Sequence, residues 1–228
     1  MRCTRLLCLV LAGWALPAIA ADPAALSSDK DRQSYAIGVD IARRFEKLGA
    51  EFDAAALARG ITDASSHQPL ALGDEDLHAG VAAFQGGLEK KRTAALARAA
   101  EGNLKEGEAF RDDYRRQPGV VSLPSGLLYR VLTPGSGRKP TLEDAIECRY
   151  QGKLIDGRVF ERTPADQPVP IKLGAVIPGW KEALVLMPVG AKYEIVVPPA
   201  LGYGERGNGR DVGPNTTVIY EIELLAVK

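Results

Sequence analysis

Apolar positions along the chain change period once, near Pro118. Upstream they recur every three to four residues. Ile37, Ile41, Phe45 and Leu48 keep that spacing until Gly49 stops it, which predicts a first helix. Ser28 and Asp31 stand ahead of the stripe as a capping box. Asp53 predicts the cap of a second helix, with Leu57, Ile61 and Ala64 as its stripe and Phe52 placed to staple against Leu57. Asp74 opens a third, whose apolar face is Leu77, Val81, Phe84 and Leu88. Residues 90–116 then carry many charges and few large apolar side chains, which predicts a stalk standing in solvent. Gly102 and Gly107 weaken it by about 1 kcal/mol each relative to Ala. Unbroken, this helix would be about 60 Å long.

After Pro118-Gly119 the period shortens to two. Residues 127–132, 145–155, 169–173, 192–197 and 217–227 predict strands, and Asp156-Gly157 is a strong hairpin-turn pair. Residues 178–186 predict a short helix with Pro178 in its first turn. Prolines crowd this half, whereas none lies between Pro69 and Pro118. A short helix among several strands implies an α+β fold: an antiparallel half-barrel sheet wrapped on a helix. The plan is therefore an all-α module over 21–73, a long connecting helix over 74–118, and a β-rich domain over 119–228.

The first twenty residues do not belong to that plan. Arg2 and Arg5 precede a short apolar run, and Ala18-Ile19-Ala20 is a small-residue cleavage site. This predicts a secretory signal peptide over 1–20, the run being too short to span a bilayer. An uncleaved anchor is the alternative. Export across an inner membrane follows, to the periplasm or else to an outer surface. Cys3 and Cys8 leave with the leader, so Cys148 is expected alone, as a buried thiol on the same strand face as Tyr150.

Basic and acidic residues balance at 29 each, with no basic cluster to meet a nucleic acid. His67 and His78 are the only histidines, and neither has a partner at ligand spacing, so no metal or cofactor is expected. Both lie in the helical half, which leaves no nucleophile triad. Gly202-Tyr203-Gly204-Glu205-Arg206-Gly207 has dinucleotide-fingerprint spacing, but Pro198-Pro199 precedes it and the residues after it cannot open a helix. Asn215-Thr216-Thr217 is a glycosylation sequon on the doorstep of a strand. What stands out is a set of aromatics: Tyr150, Phe160, Trp180, Tyr203 and Tyr220, with Val176 and Ile177 beside Trp180 at a helix start. Spacing alone allows either a core or an apolar ligand pocket.

Residues 125–228 resemble the FKBP-type peptidyl-prolyl cis–trans isomerases. The resemblance rests on Tyr150-Gln151-Gly152-Lys153-Leu154-Ile155-Asp156-Gly157-Arg158-Val159-Phe160, on Val176-Ile177-Pro178-Gly179-Trp180, on Met187-Pro188-Val189-Gly190, on Leu201-Gly202-Tyr203-Gly204 and on the closing segment 215–225. Ser34-Tyr35-Ala36-Ile37-Gly38 and the segment 118–127 resemble the macrophage infectivity potentiator branch of that family. The resemblance implies a pocket with Trp180 as floor and Tyr150, Phe160, Val176, Ile177 and Tyr220 as walls. It implies hydrogen bonds to a bound segment from the Ile177 N–H and the Tyr203 hydroxyl, and Val212 on a flap at the rim. Tyr203, Phe160, Glu161 and Trp180 are the implied catalytic set.

Three positions depart from the family pattern. Glu161 replaces an Asp, Val169 or Ile171 replaces a pocket aromatic, and Asn208 stands near a rim position usually held by other residues. Restoring the usual shape with Glu161→Asp is expected to leave activity equal or higher. The resemblance further implies action on unfolded or partly folded proteins with X–Pro bonds, inhibition by macrolides of the rapamycin type, and a homodimer formed through residues 22–90. A non-catalytic chaperone or adaptor for Pro-containing segments is the alternative. The branch is often Met-rich in its helical module, whereas beyond the leader this chain has only Met187.

Overall fold

The computed structural model describes residues 26–164 and 167–228, so the expected leader lies outside the described residues. The chain forms two compact units, one ending at Asp74 and the other covering Glu75–Lys228.

In the first unit, α1 (Asp29–Lys47) opens with the expected capping box: the Asp31 N–H donates to Ser28 Oγ and the Ser28 N–H to Asp31 Oδ2, both at 3.1 Å. Helix α2 (Ala54–Ser65) starts at Asp53, whose side chain accepts from the Ala56 N–H at 2.9 Å. The Phe45 and Phe52 rings meet edge to face at 5.2 Å. Neither helix buries a residue, and Tyr35, Ile37 and Ile61 are more than half exposed.

The second unit begins at the second residue of α3 (Asp74–Arg115), a single continuous helix of 42 residues. Strands β1 (Val120–Ser122), β2 (Leu128–Thr133), β3 (Ala145–Leu154), β4 (Val159–Arg162), β5 (Val169–Lys172), β6 (Lys192–Val197) and β7 (Val218–Val227) follow, with α4 (Pro178–Leu184) between β5 and β6. All pairings are antiparallel, in the order β1-β2-β6-β7-β3-β4, with β5 also on β3. The two strands that periodicity missed are β1 and β4, of three and four residues. Neither is long enough to establish a period of two.

Alternation sorts the sheet into two faces. On β7, Val218, Tyr220, Ile222 and Leu224 join Ile146 and Cys148 of β3, Ile195 and Val197 of β6, and Trp180, Ala183 and Leu184 of α4 in the main core. Gly179 lets α4 settle there, since a Cβ would stand 2.6 Å from Val197 Cγ1. Cys148 is wholly buried and unpaired, and burial pushes its thiol pKa up to about 12.

The outer face corrects the expectation of a solvent stalk over 90–116 in its second half, from Asn103 onward. Phe110 and Tyr114 of α3 pack on Leu128, Val196 and Ile219 in a second apolar cluster. Asn103 donates to the Pro214 carbonyl at 2.8 Å, Arg111 to the Thr217 hydroxyl, and Tyr114 to Glu194 Oε1 at 2.8 Å. Gly107 is buried where helix and strand touch, so it is a point of close approach rather than a weak spot in a free helix. Two aromatics one turn apart, with a glycine one turn before them, suffice to dock a helix that otherwise reads as polar.

Candidate functional site

A cavity of about 200 Å³ opens against α4, between it and strands β3 and β7. Its floor is Trp180, 4 % exposed and set in the first turn of a helix that Pro178 starts. Tyr150 of β3 and Tyr220 of β7 meet the Trp180 ring edge to face at 4.9 and 5.1 Å, each at 88°. Such pairs contribute about 0.5–1.5 kcal/mol each beyond area burial and fix the ring orientation. Val176, Ile177 and Ile171 supply aliphatic walls. The Ile177 carbonyl accepts from the Trp180 and Lys181 N–H groups, while the Ile177 N–H meets no acceptor among the described residues. The Trp180 Nε1 is likewise buried without a protein partner among them.

Glu161, Tyr203 and Tyr220 make the polar corner of this cavity. The Tyr220 hydroxyl lies 2.5 Å from Glu161 Oε1, and the Tyr203 hydroxyl lies 3.3 Å from that oxygen and 2.7 Å from the Tyr220 hydroxyl. Burial first, then the contacts with Glu161 and Tyr203, push the Tyr220 phenol pKa far up. Burial also raises Tyr203 and Tyr150. All three phenols therefore keep their protons at neutral pH.

Eight of the eleven anticipated side chains line the cavity: Tyr150, Glu161, Ile171, Val176, Ile177, Trp180, Tyr203 and Tyr220. Phe160 stands behind the lining, edge-on to Tyr203 at 6.1 Å and to Tyr220 at 5.7 Å. Val169 packs against the core beside Ile171, and of the two it is Ile171 that reaches the cavity. Val212 is 2 % exposed and part of the core, so its side chain does not form an open rim. Its loop is held by Asn208, whose Oδ1 accepts from the N–H groups of Arg210, Asp211 and Val212, each at 2.9 Å.

Two residues were missed. Ala175 lines the cavity, and Gly152 is the spacer beneath it: a Cβ there would stand 2.8 Å from both Phe160 Cζ and Tyr220 Cε1. Residues this small leave no periodic signal.

A larger cleft of about 430 Å³ includes Arg149, Arg162, Lys192, Glu221 and Glu223. Four of these pair across it, Arg149 with Glu223 at 3.4 Å and Lys192 with Glu221 at 2.9 Å. Tyr150 is the one aromatic in its lining, beside charged and polar side chains, so the smaller cavity with its Trp180 floor is the better site for an apolar ring.

Comparison with known proteins bears on the same residues. Residues 136–225 match the family described as FKBP-type peptidyl-prolyl cis-trans isomerase, and residues 30–131 match the domain amino terminal to it. The outer membrane protein MIP of Legionella longbeachae is 41 % identical over 210 residues, 92 % of this chain and 90 % of that protein. The chain belongs to the FKBP-type peptidyl-prolyl cis–trans isomerases.

The FKBP-type isomerase FkpA of Escherichia coli K12 is 33 % identical over 223 residues, 94 % of this chain and 82 % of its own. The crystal structure of FkpA from Escherichia coli superimposes with a TM-score of 0.72 at 32 % identity, covering 90 % of this isomerase and 99 % of that chain. The α+β architecture with an amino-terminal helical region is thus common to both. No described helix of this isomerase is long and apolar enough to cross a membrane.

Proposed function

We propose that this isomerase assists the folding of exported proteins by binding the twisted X–Pro amide in the Trp180 cavity, without a covalent step. The observation that carries the reading is the aromatic box itself, an indole floor with two phenol rings set at right angles to it. Rotation about a peptide bond faces a barrier of about 18–20 kcal/mol because resonance is lost in the twisted state. No bond breaks, so no nucleophile is needed. A catalyst has only to hold the twisted amide better than either planar form, at about 1.4 kcal/mol for each tenfold in rate. The twisted carbonyl is less polarised, which suits apolar walls.

In this reading Trp180, Tyr150, Val176 and Ile177 receive the proline ring, and the Ile177 N–H donates to a carbonyl of the bound segment. Ile171 closes the far wall. Phe160 fixes Tyr203, and Glu161 anchors the polar corner. Val169 and Val212 support the pocket from the core. Proline is the substrate residue because only X–Pro bonds populate cis appreciably, and their slow exchange limits folding.

The exposed apolar side chains Tyr35, Ile37 and Ile61 support a homodimer through residues 22–90, and Val81 on α3 is 57 % exposed as well. The leader motif supports export to the periplasm or an outer surface. The test is a cis–trans assay on a short X–Pro peptide with the chain lacking residues 1–20. Acceleration that a rapamycin-type macrolide abolishes is expected. No acceleration at high protein concentration would leave the adaptor reading in its place.

A further inference from the structure

The polar corner of the cavity holds more contacts than it has protons. Three oxygens, on Glu161, Tyr203 and Tyr220, make three mutual contacts of 2.5–3.3 Å. A carboxylate only accepts, and each phenol has one proton to give. Two protons fill at most two of the three contacts at a time, and filling two turns both phenol protons into the corner.

Tyr220 is 1 % exposed, and besides Glu161 its hydroxyl has only the Tyr203 hydroxyl as a partner among the described residues. A buried hydroxyl left without a partner is costly. The length of Glu161 is what reaches it, because an Asp ends one carbon–carbon bond, about 1.5 Å, earlier. Neither ring nor backbone can close that gap readily. Both side chains pack over Gly152, where a Cβ would stand 2.8 Å from the Tyr220 ring and 3.0 Å from Glu161 Cγ.

We propose that Tyr220 is a positioning residue whose hydroxyl fixes the Glu161 carboxylate and turns the Tyr203 proton inward, so that Glu161 and Tyr220 work as a matched pair. The inference rests on the isomerase reading of the cavity, and it reverses the expectation that Glu161→Asp is harmless. Asp would withdraw the acid from the Tyr220 hydroxyl and leave it the Tyr203 hydroxyl alone, and Tyr220→Phe would remove the need for the longer acid.

The experiment is a two-by-two cycle of Glu161→Asp and Tyr220→Phe in the chain lacking residues 1–20. Peptide kcat and KM are measured separately, well below every melting temperature, alongside the melting temperatures themselves. Glu161→Asp is expected to lower kcat/KM about tenfold, chiefly in kcat, which is a change of about 1.4 kcal/mol. Tyr220→Phe alone should lose less, and the double variant should regain most of what Glu161→Asp lost. Additive losses, or full activity in Glu161→Asp, overturn the pairing. Coupling seen in the melting temperatures but absent from kcat overturns the positioning role and leaves a packing contact. A wild-type chain without activity strikes instead at the isomerase reading, because the melting cycle needs no catalysis.

Discussion

Gly107 of α3 lies so close to Thr217 that a Cβ on the glycine would overlap the threonine hydroxyl. Gly102, five residues earlier on the same helix, has nothing within 4 Å of the equivalent point. The same substitution should therefore have opposite signs at the two sites. Gly102→Ala is expected to stabilise by about 1 kcal/mol through helix propensity. Gly107→Ala gains the same term but overpacks the contact, at about 1–3 kcal/mol, and is expected to be net destabilising. Urea unfolding of both variants measures the contrast, and equal signs would contradict the docking of α3.

Glu194 gives a pH dependence. Burial pushes its pKa up, but hydrogen bonds from Tyr114 and Lys153, the Lys153 charge and the Arg130 hydrogen bond outweigh that and hold it below the ordinary carboxylate value. A depressed folded pKa contributes stability that is present above the unfolded pKa and lost as pH falls through the folded one. Glu194→Gln should destabilise by about 1–3 kcal/mol at neutral pH. The gap to wild type should narrow as pH drops below the ordinary glutamate range. Chemical unfolding at a series of pH values decides it.

The floor and the hydroxyl of the cavity should separate fold from activity. Trp180→Ala removes the centre of an edge-to-face cluster and is expected to lose about 3–5 kcal/mol of stability together with activity. Tyr203→Phe keeps the ring beside Phe160, so it should lower activity while the melting temperature barely moves. A Tyr203→Phe variant with full activity would leave the hydroxyl without a role.

Truncation tests the helical half. A chain of residues 97–228 keeps Asn103, Gly107, Phe110 and Tyr114 on the sheet, and should be a monomer by light scattering with near-normal peptide activity. A chain of residues 119–228 uncovers Leu128, Val196 and Ile219, which are at most 5 % exposed in the whole unit. It should lose at least about 3 kcal/mol of stability. Only the full-length protein, as a dimer, should act strongly on a proline-limited refolding protein, where a second contact gains from effective concentration. Equal refolding activity in full-length and 97–228 chains would remove the case for two cooperating domains.

Much of this architecture was legible because local signals were strong. Ser28 and Asp53 marked helix starts by side-chain chemistry, and Asp156-Gly157 marked a turn that Gly157 takes at φ +88°. Long alternating strands such as β7 declared their inward face. The docking of α3 was not legible, because Phe110 and Tyr114 are only two apolar residues in a charged stretch, and of their partners Val196 and Ile219 lie some eighty or more positions away. The cavity walls were readable through resemblance, whereas the hydroxyl corner depends on distances that no spacing encodes. The burial of Val212 was not legible either, since it follows from a loop whose amides are gathered by the Asn208 side chain.

Between Glu89 and Ala99, α3 passes through eleven exposed residues without one buried side chain. A helix that short is marginal by itself, and tertiary contacts usually supply what propensity cannot. This stretch should be the first part of the helix to open transiently, ahead of the segment clamped at Asn103 and Tyr114. Lys90, Lys91, Arg92 and Arg98 lie within it, so brief trypsin treatment should cut here first and release the β-rich unit with its docked turn of helix intact. The long helix should then also act as a tear line, where a single nick parts the helical module from the β-rich unit and leaves the aromatic cavity whole.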